Sequence, residues 1–95
     1  MKVSIVVPTL NEELVLENTL TQIQQLFPHE LIVCDGGSND DTCKIAEKFS
    51  HRVITSSAGR ASQMNAGAGE ATGDLLLFLH ADSRIEPRSY RKMLE

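Results

Sequence analysis

The 95-residue sequence lacks several features that would place it in common protein classes. Its longest apolar run covers only residues 75–79, whereas a membrane span needs roughly 20 apolar residues. No stripe of lysine and arginine follows any predicted element, and the formal net charge is −4. We therefore expect neither a membrane span nor a nucleic-acid partner, since a nucleic-acid-binding domain normally presents a basic face.

Cysteine is scarce as well. The two cysteines, Cys34 and Cys43, form neither a CxxC pair nor a metal-binding quartet, so the sequence predicts no zinc site. The short apolar stretch at the N-terminus ends at Pro8 and then acidic residues, without a small-residue cleavage site, and is typical of a strand rather than a signal peptide. Two reduced thiols in a cytoplasmic protein are the expectation; a disulfide between them is the alternative that the sequence leaves open.

What the sequence does contain is a regular alternation of strand and helix patterns. The β-branched or continuously apolar segments 3–7, 30–35, 51–56 and 74–79 are predicted strands, and the third is expected to be peripheral. Helices are predicted to follow them within residues 9–27, 41–49, 60–72 and 87–95. This order predicts an α/β fold: one domain over residues 1–95, with a mostly parallel open sheet, helices on both faces and strand order 3-2-1-4.

The helix patterns also predict caps and buried faces. Thr9 or Asn11 is expected to cap the first helix, and Ser38 or Asn39 the second. The inward faces of the first three helices are predicted to comprise Leu16, Leu20, Ile23 and Phe27, then Ile45 and Phe49, then Ala61, Met64, Ala68 and Ala71.

Polar segments follow every predicted strand at its carboxyl end: PTLNE, DGGSND, TSSAGR and HADS. In open α/β sheets, ligands bind outside the carboxyl ends of the strands, where the strand order reverses. The reversal is predicted between the first and fourth strands. Thr9, Asp35 and Asp82 are therefore expected to face one crevice.

Three blocks carry a resemblance to a known family: VSIVVPTLNEE, LIVCDGGSNDDT and GRASQMNAGAGEATGDLLLFLHADS. In order and spacing they resemble the first half of the family 2 glycosyltransferases, and the resemblance covers essentially the whole chain. It implies the nucleotide-binding half of a GT-A-like fold, which binds a nucleoside-diphosphate sugar with Mg²⁺ or Mn²⁺ and transfers the sugar to an acceptor.

The resemblance assigns roles to individual positions. The first nucleotide-contacting loop of the family matches the segment that includes Pro8, Thr9, Leu10 and Glu12. Asp35 matches the aspartate that accepts a hydrogen bond from the nucleobase, and Arg60 matches a region that approaches the nucleotide. Asp82 matches the last residue of the Asp-x-Asp motif, which holds the divalent metal.

Two departures from the family pattern bear on function. His80 stands where the motif usually begins with aspartate, and it would bind either the ribose, a phosphate or the metal. The segment that usually carries the catalytic base would follow Glu95, so the chain is expected to be truncated relative to the full catalytic domain, and no catalytic residue is assigned.

Each candidate residue also has a purely structural interpretation. Asp35 would accept hydrogen bonds from turn amides, His80 would be a structural histidine, and Arg60 would be a capping or surface group. The competing hypothesis for the whole chain is a non-catalytic nucleotide-binding or assembly module, which forms a homo-oligomer through an exposed edge of the sheet.

Overall fold

A computed structural model describes all residues from Met1 to Glu95. Strands and helices alternate along the chain. The strands are β1 (Val3–Thr9), β2 (Glu30–Asp35), β3 (Arg52–Thr55) and β4 (Leu75–Phe78). The helices are α1 (Leu16–Gln24), α2 (Thr42–Phe49), α3 (Arg60–Glu70) and α4 (Pro87–Met93).

The four strands form one parallel sheet in the order β3-β2-β1-β4. The predicted α/β class and strand order are therefore confirmed, and β3 lies at an edge as expected. In the register, Thr9 of β1 lies opposite Asp35 of β2. The order of the strands reverses between β1 and β4, so the carboxyl end of β1 lies at the centre of the crevice.

Strand β1 extends two residues beyond its predicted end and includes Pro8. A central strand donates backbone N–H groups to the neighbouring strands on both sides, and proline has no N–H to donate. The pairing of β1 with β4 ends opposite Phe78, at Val6, so Pro8 pairs only with β2. A proline is tolerated at this position because one side of β1 is already free there.

Alternate residues of the strands supply two separate packing layers. One face of the sheet carries Val3, Ile5 and Val7 of β1, which join the main core with residues from α1, α2 and α4. The opposite face carries Val6 and packs against α3 through Gly67. Because successive side chains of a strand point to opposite faces, this division follows from the strand period. Helices cover both faces, as predicted.

Helix α1 starts later than its sequence pattern suggests, and the predicted caps are wrong. Val15 occupies the N-cap position and provides no side-chain hydrogen bond. The Thr9 hydroxyl instead bonds to Asp35 at the end of β2, and the Asn11 side chain accepts the Asn39 amide after β2. Phe27 also departs from the prediction: the helix ends before it, its φ is 51°, and its side chain is 89% exposed.

Helix α2 begins at Thr42, with Asp41 at its N-cap, so neither Ser38 nor Asn39 caps it. The nearby Asp40 carboxylate accepts a hydrogen bond from the Thr42 amide at 2.9 Å. The predicted inward face is confirmed, because Ile45 and Phe49 pack against the main core.

The buried face of α3 differs from the predicted one. Gln63 and Gly67 are buried, whereas Ala61 is exposed and Ala71 lies at the C-cap. A Cβ atom on Gly67 would stand only 2.4 Å from Cγ1 of Val6. The helix therefore approaches β1 closely because a glycine, rather than a row of alanines, faces the strand.

Strand β4 is shorter and more exposed than predicted. It is four residues long rather than the six of the predicted segment, none of its residues is fully buried, and Leu76 is 37% exposed. Only β1 and β2 are buried strands, because β3 and β4 lie at the two edges of the sheet. None of the four helices has the length and hydropathy that crossing a membrane requires.

Candidate functional site

A cavity of about 450 Å³ opens at the carboxyl end of the sheet, at the reversal of strand order. Its wall brings together the end of β1 and the residues after it, the first turn of α3, and the turn after β4. The lining residues are Pro8, Thr9, Leu10, Glu12, Arg60, Gln63, His80, Ala81 and Asp82. All the predicted site residues except Asp35 therefore lie around one space.

Asp35 lies directly behind this wall rather than in it. The Thr9 side chain joins the two, since its hydroxyl donates to Oδ1 of Asp35 at 2.7 Å. The Asp35 carboxylate is only 1% exposed. Thr9 and Asp82 therefore line one cavity, as expected, whereas Asp35 does not face it: its carboxylate is enclosed behind Thr9 and is not open to a ligand.

The Asp35 carboxylate is saturated by four donors. Besides Thr9, the Ser38 hydroxyl donates to Oδ1 at 2.6 Å, and the Gly37 and Ser38 amides donate to Oδ2 at 3.0 and 2.7 Å. Burial raises the pKa of Asp35, but these hydrogen bonds outweigh it and the net pKa lies below the ordinary value. Asp35 therefore stays ionised and organises the segment that follows it, as its structural interpretation predicts.

Gln63 stabilises the base of the cavity through hydrogen bonds, and the sequence analysis did not predict this role. Its Nε2 donates to the carbonyl oxygens of Thr9 and Cys34, at 2.8 and 2.9 Å. Its Oε1 accepts from the Gly59 amide at 3.1 Å, so one side chain ties the ends of β1 and β2 to the start of α3. The four-residue spacing of Gln63 and Gly67 places both on one helix face, and this was the available signal.

A tight turn after β4 presents the predicted metal-binding residue. The His80 amide donates to the Ser83 hydroxyl at 2.7 Å, and the Ser83 amide donates to the His80 carbonyl at 3.0 Å. Ala81 within the turn is buried in the core, while Asp82 is exposed at the cavity. Ala81 therefore anchors the turn in the core, and its polar neighbours His80 and Asp82 line the cavity.

The donor set suits a divalent cation that is shared with a ligand. No group of three histidine, cysteine, aspartate or glutamate residues is arranged to hold a metal alone. Asp82 supplies a hard carboxylate oxygen, and the imidazole of His80 lines the same cavity. Because Mg²⁺ is commonly held by one or two carboxylates together with substrate phosphates, the residues fit such a cation when a diphosphate supplies the other oxygens.

Two segments meet beside the cavity through side-chain hydrogen bonds. We call residues 10–15, after β1, the first loop, and residues 36–41, after β2, the second loop. The Asn11 amide donates to the Ser38 hydroxyl, and the Asn39 amide donates to Oδ1 of Asn11, both at 2.8 Å. The Glu12 amide donates to the Thr42 hydroxyl at 2.8 Å. The first loop is thus held mainly by bonds to the segment after β2.

Comparison with known proteins decides the family. The family model described as "Glycosyl transferase family 2" matches residues 4–95. The chain belongs to glycosyltransferase family 2. An undecaprenyl-phosphate 4-deoxy-4-formamido-L-arabinose transferase of Photorhabdus laumondii subsp. laumondii is 35% identical over an alignment of 107 positions. The alignment covers 99% of this chain and 33% of that protein.

Solved structures of other glycosyltransferases share the fold. Glucosyl-3-phosphoglycerate synthase from Mycobacterium tuberculosis, in complex with Mn²⁺, uridine diphosphate (UDP) and glucosyl-3-phosphoglycerate, superposes with a TM-score of 0.82 and 28% identity. The match covers 95% of this chain and 37% of that one. S. aureus TarS in complex with UDP-GlcNAc gives a TM-score of 0.83 at 25% identity, over 99% of this chain and 30% of TarS.

The chain spans about a third of the length of the proteins that it matches. Family membership and the GT-A architecture are therefore established for these 95 residues. The resemblance inferred from the sequence is confirmed at the level of the family.

Proposed function

We propose that this chain is the nucleotide-binding part of a family 2 glycosyltransferase. It binds a nucleoside-diphosphate sugar together with a divalent metal, for transfer of the glycosyl group to an acceptor. One observation carries the proposal: the residues that match the nucleotide and metal positions of the family come from distant parts of the chain and line one cavity. Two solved relatives support it, because one holds UDP with Mn²⁺ and the other UDP-GlcNAc.

In this proposal the nucleotide lies along the carboxyl edge of the sheet. Pro8, Thr9, Leu10 and Glu12 border the nucleoside, and Arg60 at the first turn of α3 provides the positive charge for a phosphate. The predicted contact between Asp35 and the base remains part of the proposal. It requires one of the four donors on the Asp35 carboxylate to give way to the base.

The diphosphate is proposed to lie near Asp82, and the cation between them neutralises the charge that develops on the leaving group. Asp82 is the proposed metal ligand, and His80 is proposed to contact the nucleotide from the same turn. We assign no catalytic base, since a base must stand within hydrogen-bond reach of the acceptor hydroxyl.

Calorimetric titration tests the proposal. The chain should bind UDP or GDP with a dissociation constant in the millimolar range or below, and Mn²⁺ should tighten this binding. Asp82→Asn should remove the effect of Mn²⁺. Asp74→Asn is the matched control, because Asp74 lies at the amino end of the same strand, away from the cavity. This substitution should leave the effect of Mn²⁺ intact. No heat with either nucleotide at millimolar concentration would reject the proposal.

A second candidate is a non-catalytic module that assembles through the sheet edge. The observation in its favour is β4, an edge strand whose Leu76 is partly exposed. Release of nucleoside diphosphate from a sugar donor would exclude a purely passive module. Sedimentation at several concentrations would measure assembly, and a monomer at all of them would reject the homo-oligomer.

A further inference from the structure

Asn11 lies between two cavity-lining residues, Leu10 and Glu12, but does not itself line the cavity. Its backbone amide and its side-chain oxygen form hydrogen bonds to the second loop instead. The backbone amide bonds to the Ser38 hydroxyl, which in turn donates to the Asp35 carboxylate at 2.6 Å. A continuous chain of hydrogen bonds thus runs from the first loop to the buried carboxylate at the end of β2.

The backbone conformation of Asn11 explains why this residue type is suited to the position. Its φ of 53° is in the left-handed region, which asparagine adopts more readily than most residues. Its side-chain oxygen meanwhile accepts the Asn39 amide at 2.8 Å. Glycine would satisfy only the first requirement, and alanine neither. Aspartate would add a further charge to a region that already contains Glu12, Glu13 and Asp40.

Polar contacts also hold the rest of the first loop: the Val15 and Leu16 amides donate to the Glu12 carbonyl, and longer bonds of 3.4 Å join Glu13 to the second loop. Leu10 is 43% exposed, and Leu14 is almost fully exposed, so apolar packing contributes little to the position of the loop. The next residue, Glu12, adds a hydrogen bond from its amide to the Thr42 hydroxyl of α2. The position of the loop therefore depends on these polar contacts to the segment after β2.

We propose that Asn11 is a positioning residue of the nucleotide site: it joins the two loops in the free protein and so holds Leu10 and Glu12 ready for the ligand. This inference rests on the proposed function. A loop that is already ordered does not have to be ordered on binding, and pre-organisation of this kind increases affinity without adding a contact.

The test compares Asn11→Gly with Asn39→Ala, using UDP with Mn²⁺ as the probe. Asn11→Gly keeps the left-handed backbone accessible and removes the side-chain bond. Asn39→Ala removes a neighbouring asparagine side chain but keeps the backbone amide that donates to Asn11. We expect the dissociation constant to rise about tenfold in Asn11→Gly, as for the loss of one hydrogen bond, and to stay within about twofold in Asn39→Ala.

Amide hydrogen exchange of the free protein gives an independent measurement. In Asn11→Gly, the Asn39 amide should exchange about tenfold faster than in the unchanged chain, because its acceptor is gone. The binding measurements are made well below the melting temperature, so a loss of global stability alone would not change the dissociation constant.

Two results would overturn the proposal. One is a dissociation constant in Asn11→Gly equal to that of the unchanged chain; the other is an equal loss of affinity in Asn39→Ala. If the unchanged chain does not bind UDP, the proposed function fails and the role of Asn11 in binding fails with it. Faster exchange of the Asn39 amide would still show that Asn11 joins the loops, so the two failures are distinguishable.

Discussion

Strand β2 carries a buried carboxylate at each end, and the two are used differently. Asp35 at the carboxyl end and Glu30 at the amino end are 1% and 8% exposed. Each side chain accepts several hydrogen bonds: those of Glu30 come from residues distant in sequence, and those of Asp35 come from Thr9 and from the turn that directly follows it. In each case the hydrogen bonds outweigh the effect of burial and lower the pKa. They differ in what surrounds them.

The amino end of β2 is a closed polar cluster. Oε1 of Glu30 accepts hydrogen bonds from the Ser4 hydroxyl at 2.7 Å and from the amide and hydroxyl of Thr72. The Ser4 hydroxyl also accepts the Gly73 amide at 2.8 Å, so the α3–β4 connection is fastened to β1. A Cβ atom on Gly73 would lie 2.5 Å from that hydroxyl oxygen, which leaves no room for a larger residue.

The carboxyl end is organised in the same way but opens onto a cavity. The donors to Asp35 belong to β1 and the second loop, and one of them, Thr9, forms part of the cavity wall. The comparison shows that a saturated buried carboxylate does not by itself indicate a ligand. What distinguishes the two ends is the reversal of strand order at the carboxyl edge, which leaves space between β1 and β4.

The largest effect is expected for Asp35→Ala, which should impair both folding and binding. Removal of the carboxylate leaves four donors without their acceptor, and we expect the free energy of unfolding to fall by about 3 kcal/mol. Urea denaturation measures this loss. UDP affinity should also fall by more than about tenfold, because both loops lose their anchor. The control Asp41→Ala, at an exposed ion pair, should change stability by less than about 1 kcal/mol.

Glu30→Ala should affect folding alone and thereby separate the two ends. Its cluster joins β1, β2 and the α3–β4 connection, so we expect a loss of about 2 kcal/mol in the free energy of unfolding. The dissociation constant for UDP with Mn²⁺, measured well below the melting temperature, should be unchanged. Glu47→Ala, an exposed position on α2, is the control. A loss of affinity in Glu30→Ala as large as in Asp35→Ala would abolish the distinction between the ends.

The smallest effect is expected from pH. Because the pKa of Glu30 is lower in the folded chain than its ordinary value of 4.5, its contribution to stability is complete above that pH. The contribution is lost as the pH falls through the lower folded value. Asp35 behaves in the same way relative to 3.8. Urea denaturation at several values below about pH 6 should show stability falling with pH, and Glu30→Gln should make this dependence shallower.

Most of the fold could be predicted because its signals are local. The continuous apolar runs of β1 and β2 are typical of buried parallel strands, and the spacing of Leu16, Leu20 and Ile23 reflects the 3.6-residue period of a helix. The structure buries these residues. The errors concern contacts between elements. Thr9 and Asn11 are suitable capping residues, but their side chains bond to Asp35 of β2 and to the Asn39 amide, which a local pattern cannot reveal.

The site was predictable to a similar extent. Its lining residues follow the carboxyl ends of strands, and a parallel sheet brings such ends to one edge. Gln63 was missed because its partners are main-chain carbonyls of β1 and β2, which no side-chain pattern shows; its spacing from Gly67 indicates its helix face but not these partners.

The alternation of strands and helices and the edge at which the polar residues gather followed from the order of residues alone, since both depend on short-range periodicity and on the geometry of parallel crossovers. Only the packed chain decided that the Thr9 hydroxyl closes over Asp35 whereas Asp82 is open, and that Gly67 rather than alanine meets β1. The physical reason is that hydrogen-bond saturation and close approach depend on which distant groups arrive at a position, and tertiary packing sets that.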